Sequence, residues 1–194
     1  MNRFLLFFFS SAILLACADA PKGSQASETV TDPGQGSARS KDTSKKSIPK
    51  TITKRVGNTD ITISYHSPGV RGRTIWGGLV PYNEVWVTGA HKATSMEIGK
   101  SFRAGEKDIP AGKYALFTIP GKDEWIIVLN KNWRQHLADD YSEEEDVARI
   151  KVKPKVTKDT TERLTYEIDR QGGRLADITI SWEKIRVVLP LEIR

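Results

Sequence analysis

From residue 51 to the C-terminus, apolar side chains recur at alternate positions in short segments separated by turn residues, and this constrains the fold more than any other feature. A period of two places successive side chains on opposite faces of an extended chain, whereas an amphipathic helix needs a period near 3.6. Segments 51–56 and 60–65 flank Gly57-Asn58 as a hairpin would, and segments 84–87 and 94–98 follow a long loop. Segments 101–104 and 113–119 surround Gly105 and the turn Pro110-Ala111-Gly112. Segments 125–129, 147–152, 162–168, 177–182 and 186–191 continue the series, with Asp169-Arg170-Gln171-Gly172-Gly173 as a hairpin turn. A chain with about ten such strands folds as an all-β domain. Two packed antiparallel sheets of jelly-roll type are expected, with a barrel as the alternative. One or two short helices are expected at 131–137, which lacks alternation, and at Ser142-Glu143-Glu144-Glu145-Asp146, where a serine N-cap precedes acids that suit a helix dipole. That acidic run lacks the spaced ligands and glycine turn of a calcium loop.

The residues before this domain read differently. Met1-Asn2-Arg3 carries one positive charge, and residues 4–16 are apolar but for two serines. A helix of that length spans roughly 20 Å, short of a membrane core of about 30 Å, so residues 1–16 read as a signal peptide. The one cysteine of the chain closes the segment, in Leu14-Leu15-Ala16-Cys17, and resembles the lipobox of bacterial lipoproteins. That resemblance implies a diacylglycerol on the Cys17 thiol, cleavage before it and acylation of the new amino terminus. Two or three acyl chains, at about 0.8 kcal/mol per buried CH₂, hold a protein on a membrane without a spanning helix. An ordinary secretory signal cut near Ala18-Asp19-Ala20 is the alternative. With a single thiol the domain forms no internal disulfide, and lipidation accounts for a lone thiol in an exported chain. Ala18 places no inner-membrane retention acid after the cysteine, which points to the outer membrane. Residues 17–49 then form a lipidated cysteine and tether rich in Gly, Ser, Pro and Lys, with too little apolar surface to offset the entropy of ordering. Residues 50–194 form the single domain. The sequence leaves the oligomeric state open.

The formal net charge is +6 and the pI about 9.4. The basic residues are dispersed among acids, as in Gly121-Lys122-Asp123-Glu124, so the long basic stripe of a nucleic-acid binder is missing and no nucleic-acid partner is expected. Functional candidates concentrate in residues 67–94, a non-alternating stretch in which arginines, glycines and aromatics mix. Arg71, Arg73, Lys92 and His91 could converge on a carboxylate, a phosphate or an acidic sugar, because guanidinium forks recognise such groups bidentately. Trp76, Tyr82 and Trp86 could supply a ring platform, and Thr94 a hydroxyl. The structural alternative is that the glycines shape turns, the tryptophans fill the core and the arginines pair with Glu84 and Glu97.

Residues 65–73, Gly77-Gly78-Leu79-Val80-Pro81-Tyr82, Trp86-Val87-Thr88-Gly89-Ala90 and residues 110–120 closely resemble a bacterial family, domain of unknown function 2911. The likeness runs from about residue 51 to the end. The resemblance implies one exported domain and carries no established activity or catalytic residues. Val87 stands where the family frequently has arginine, and His91 where asparagine is usual.

Enzyme signatures are sparse. His66, His91 and His136 have no H-x-H or H-E-x-x-H spacing, so no metal site is expected. No G-x-S-x-G elbow occurs, and no glycine-rich loop opens a helix to cradle phosphates, so no cofactor is expected. The expectation is an envelope lipoprotein that binds a small polar, anionic or carbohydrate-like ligand, or a partner protein, rather than an enzyme. The alternative is a hydrolase or isomerase of envelope or periplasmic sugars, with His91 as acid or base because its ordinary pKa lies near neutrality.

Overall fold

A computed structural model of the protein describes residues 46–194. The signal segment, Cys17 and the tether as far as residue 45 lie outside the described residues. The described chain is all-β, with ten strands and one 3-10 turn at Glu143–Glu145. In order the strands are β1 (Ile48–Val56), β2 (Thr59–Ser67), β3 (Ser95–Ile98), β4 (Phe102–Ala104), β5 (Lys107–Ile109), β6 (Gly112–Ile119), β7 (Trp125–Asn130), β8 (Asp146–Val152), β9 (Lys155–Gly172) and β10 (Leu175–Ile193). They form two antiparallel sheets, one in the order β1-β2-β3-β6-β7-β8 and one in the order β5-β4-β10-β9. The sheets are not closed into a barrel, so the two-sheet expectation holds. Except for the β4–β5 hairpin, which belongs to the second sheet, the larger sheet follows chain order.

The alternation explains the packing. In β2, Ile61, Ile63 and Tyr65 are buried between the sheets, while the intervening Asp60, Thr62, Ser64 and His66 lie on the outer face of the larger sheet. On that face Thr51 Oγ1 meets Ser64 Oγ at 3.1 Å and Thr53 Oγ1 meets Thr62 Oγ1 at 3.0 Å across β1 and β2. Between the sheets, Leu116, Ile127 and Leu129 from the larger sheet meet Ile178, Ile180 and Leu189 from β10, all but completely buried. The centre holds four tryptophans. Trp76 lies with its ring centroid 4.8 Å from Trp125, 5.8 Å from Trp86 and 5.9 Å from Trp182, and Trp86 stacks on Trp182 at 5.5 Å. Edge-to-face and offset pairs at such distances add about 0.5–1.5 kcal/mol each beyond burial of their area.

The differences from the alternation pattern have physical causes. β1 starts at Ile48, two residues before the expected domain boundary, because Ile48 pairs with Ser67 and Pro49 with His66 at a sheet edge that tolerates proline. Segment 84–87 is not a strand: it makes a single bridge, Trp86 with Thr118, alongside β6. β5 is three residues long, below what a periodic pattern can reveal. β9 begins at Lys155 rather than 162 because its first half is solvent-facing and shows no alternation, with Val156 79% exposed. Segments 177–182 and 186–191 are one strand, β10; the apparent break is a bulge around Glu183, whose φ of 53° is left-handed. The helix expected at 131–137 is absent, whereas Ser142 does cap the 3-10 turn, accepting from Glu144 N at 3.3 Å.

A basic cleft on the outer face of the larger sheet

The outer face of the six-stranded sheet is covered over β6 and β7 and open over β1 to β3. The cover is built by segments 85–93 and 133–141, which bury Val87 and Ala93 against Ala115, Phe117 and Val128, with Trp133, Ala138 and Tyr141 packed at the margin. Where the cover stops, a cleft of about 580 Å³ opens. β1, β2 and β3 contribute Thr51, Ser64, His66 and Ser95; the cover contributes Lys92, Ala93, Trp133, Arg134, Gln135 and His136; Pro49, Lys50 and Tyr65 complete the lining.

Strained but well-held backbone presents the cover residues. Thr88 and His91 have φ of 50° and 64°, a region that disfavours residues with a Cβ. Buried hydrogen bonds hold them there. Thr94 Oγ1 donates to Thr88 O at 3.0 Å, Tyr166 OH donates to the same oxygen at 2.9 Å, and the Thr88 and Thr118 hydroxyls meet at 2.9 Å. Gly89 leaves no room for a side chain, because a Cβ there would lie 2.8 Å from Thr94 Oγ1. The two cover segments are tied by Ala93 N to Gln135 O at 3.0 Å and Leu137 N to His91 O at 2.5 Å, with Lys92 bridged to His136. Gln135 is buried; its Nε2 donates to Asn132 O at 2.7 Å, and its Oε1 has no hydrogen-bond partner among the described residues.

The electrostatics of the cleft are of one sign. Lys92 and Arg134 line it with His66 and His136, and no carboxylate does. Arg134 lies over the Trp133 ring at 4.5 Å, and Lys113 over the same ring at 4.3 Å. His136 Nδ1 lies 2.9 Å from Asp139 Oδ2, an exposed pair. His66 meets His91 edge to face, with centroids 5.3 Å apart. Burial pushes the His66 imidazole below its ordinary pKa, and the neighbouring His91 and Lys92 push it the same way. Lys92 and Arg134, which make no ion pair among the described residues, can with the Trp133 ring hold an anion. Among the described residues, no group of three or more His, Cys, Asp or Glu side chains could hold a metal ion.

Of the residues singled out from sequence, Lys92 lines the cleft and His91 stands behind it against His66. The others lie elsewhere. Arg73 donates through Nη2 to Gly69 O at 2.5 Å and through Nε to Val70 O at 3.2 Å, bracing its own loop. Arg71, with φ 50°, is exposed, and its backbone N–H donates to Glu162 Oε1 at 2.9 Å. Trp76 and Trp86 pack in the tryptophan cluster rather than forming a platform, and Tyr82 lies over Gly77. Thr94 is buried in the network that shapes the cover. Glu97, expected beside an arginine, pairs with Lys113 at 3.5 Å. Reasoning from sequence missed Trp133, Arg134 and Gln135, and the one signal there was their failure to alternate.

No curated protein and no solved structure matches this chain. The model of a family described as protein of unknown function (DUF2911) matches residues 47–191, which takes in every residue that lines the cleft and all ten strands but the last two residues of β10. The chain belongs to that family.

Proposed function

We propose that the domain is the ligand-binding part of an envelope lipoprotein and that the cleft between β1–β3 and the cover segments takes a small anionic, sugar-like ligand. One observation carries this reading: Lys92, Arg134 and two histidines line a cleft with a tryptophan and no carboxylate. Hydroxyls of Thr51, Ser64 and Ser95 in the same lining suit the hydroxyl groups of a sugar. Desolvating several like charges is unfavourable unless an opposite charge joins them, so the cleft favours an anion over a neutral ligand.

The lipoprotein half of the proposal is supported by the sequence Leu14-Leu15-Ala16-Cys17 alone. Lipid on Cys17 would hold the domain at the membrane, with the outer membrane favoured by Ala18. Cys17→Ser tests it: the variant is expected to remain unprocessed or to leave the membrane fraction, and a processed, membrane-bound variant would refute lipidation.

For the cleft, a thermal-shift series with glucose, glucuronate and glucose 6-phosphate is the direct test. The two acids are expected to raise the melting temperature and glucose is not, because a ligand stabilises in proportion to its binding. Equal stabilisation by glucose would reject the anion reading. The hydrolase or isomerase reading, with His91 as acid or base, draws no support from this geometry: no carboxylate lines the cleft, and the ring beside His91 is another imidazole.

A further inference from the structure

Of the cleft histidines, His66 is the one carried by a sheet strand. It lies on the outer face of β2, half-buried in the cleft lining, where the cover segment approaches the open half of the sheet. The groups that face it can be taken element by element. From β1 comes Pro49, its uncharged cross-strand partner, while Lys50 pairs with Tyr65 and so shares the inner face. From the first cover segment come His91, edge-on at 5.3 Å, and Lys92. Arg134 and His136 of the second share the cleft lining, the latter paired with Asp139. Its neighbour on β2, Ser64, is uncharged. Every group that can carry a charge near neutral pH in the cleft lining is therefore basic, and Asp139 beyond it is held by a different histidine.

We propose, resting on the anion-binding reading above, that His66 is the proton-linked residue of the cleft: an anion that binds there is taken up together with a proton on the His66 imidazole. Without an anion, burial and the neighbouring His91 and Lys92 disfavour the imidazolium. A bound anion reverses the balance, since an opposite charge within about 4–6 Å favours the charged form. Linkage then requires the converse, that protonation of His66 tightens the anion. Affinity rises as pH falls between the pKa of the loaded site and that of the free one, and each unit between them changes it about tenfold. His136 serves as the control, because its ring meets Asp139 at 2.9 Å rather than the cover histidine.

The test uses glucuronate, whose carboxylate stays ionised over the whole range, and isothermal titration of the full-length processed protein from about pH 5.5 to about pH 8. Binding is expected to tighten about tenfold toward the acid end, with proton uptake read from buffers of different ionisation enthalpy. In His66→Gln both the pH dependence and the proton uptake should vanish while weak binding persists. A His136→Gln control should keep them. Binding with equal affinity at every pH would overturn the proton-linked role and leave the anion site standing. A pH dependence that survives His66→Gln but disappears in His136→Gln or His91→Gln would also overturn it. No binding at any pH would instead overturn the anion reading itself, so the two failures are distinct.

Discussion

Residues 67–86 and residues 131–137 make an instructive pair. The first stretch holds Arg71, Arg73, Trp76, Tyr82 and Trp86, the side chains that binding sites are usually made of, and most of them have internal duties: two rings join the core cluster, and one guanidinium braces its own loop. Residues 131–137, expected as a helix, instead place Trp133 and Arg134 on a cleft that no carboxylate lines. The difference lies in satisfaction rather than composition. A guanidinium that already donates to two carbonyls has little left for a ligand, while a cation facing an open, acid-free cleft does.

The sharpest way to break this contrast is at the core ring. Trp182→Ala should cost about 3–5 kcal/mol in denaturant unfolding, since it removes the ring on which Trp86 stacks and against which Trp76 packs. A loss under about 1 kcal/mol would show that the tryptophans are not the core. Trp182→Phe should be gentler, because it also removes an indole N–H that has no partner among the described residues.

Arg73→Ala should cost roughly 1–2 kcal/mol of stability through its two lost charge-assisted bonds and leave ligand affinity alone. A drop in anion affinity with unchanged stability would return the first stretch to the binding site. Arg134→Ala should do the opposite, weakening an acidic ligand about tenfold, or ~1.4 kcal/mol, with little effect on unfolding. Surface substitutions away from packed features usually stay within about 0.5 kcal/mol, which sets the bar for unfolding of that variant.

The smallest effects are expected from pH. Tyr141 is pushed up by burial and by its hydroxyl bond to Asp146 at 2.7 Å, and Tyr166 is pushed up by burial. Both keep their protons when folded, while the unfolded phenols lose theirs near their ordinary value of about 10. The folded state therefore binds more protons above that pH, and stability should fall as pH rises past it. On the acid side, the lowered His66 pKa means that the unfolded chain takes up the proton first, so the ligand-free protein should lose some stability as pH falls through about 6.5. Unfolding midpoints across the two ranges check both signs, and a flat profile would contradict the burial assigned to these groups.

The sheets were legible because period two is a local signal: Ile61, Ile63 and Tyr65 announce one buried face and Thr62, Ser64 and His66 the other. Where a strand has no buried face the signal fades, which is why the first half of β9 has no signature in the sequence and why the Glu183 bulge imitates a loop. The cleft was legible only at Lys92 and, one step back, at His91. Its remaining members come from strand faces and a loop that are distant in sequence, brought together by pairings such as Thr51 with Ser64 and Ala93 with Gln135. No local pattern encodes such an encounter. Nor does composition say that Trp76 and Trp133 have different surroundings; only the sheet behind each ring decides that.

A cleft that presents Lys92 and Arg134 and that no carboxylate lines should select an anion over a neutral sugar. Isothermal titration of glucuronate and glucose into the protein and into a Lys92→Ala, Arg134→Ala double variant tests it most directly. The account predicts binding of glucuronate and not glucose by the native chain, with loss of about two orders of magnitude in the variant if each charge contributes about tenfold. Glucuronate binding that is unchanged in the variant, or glucose binding as tight as glucuronate, would contradict it.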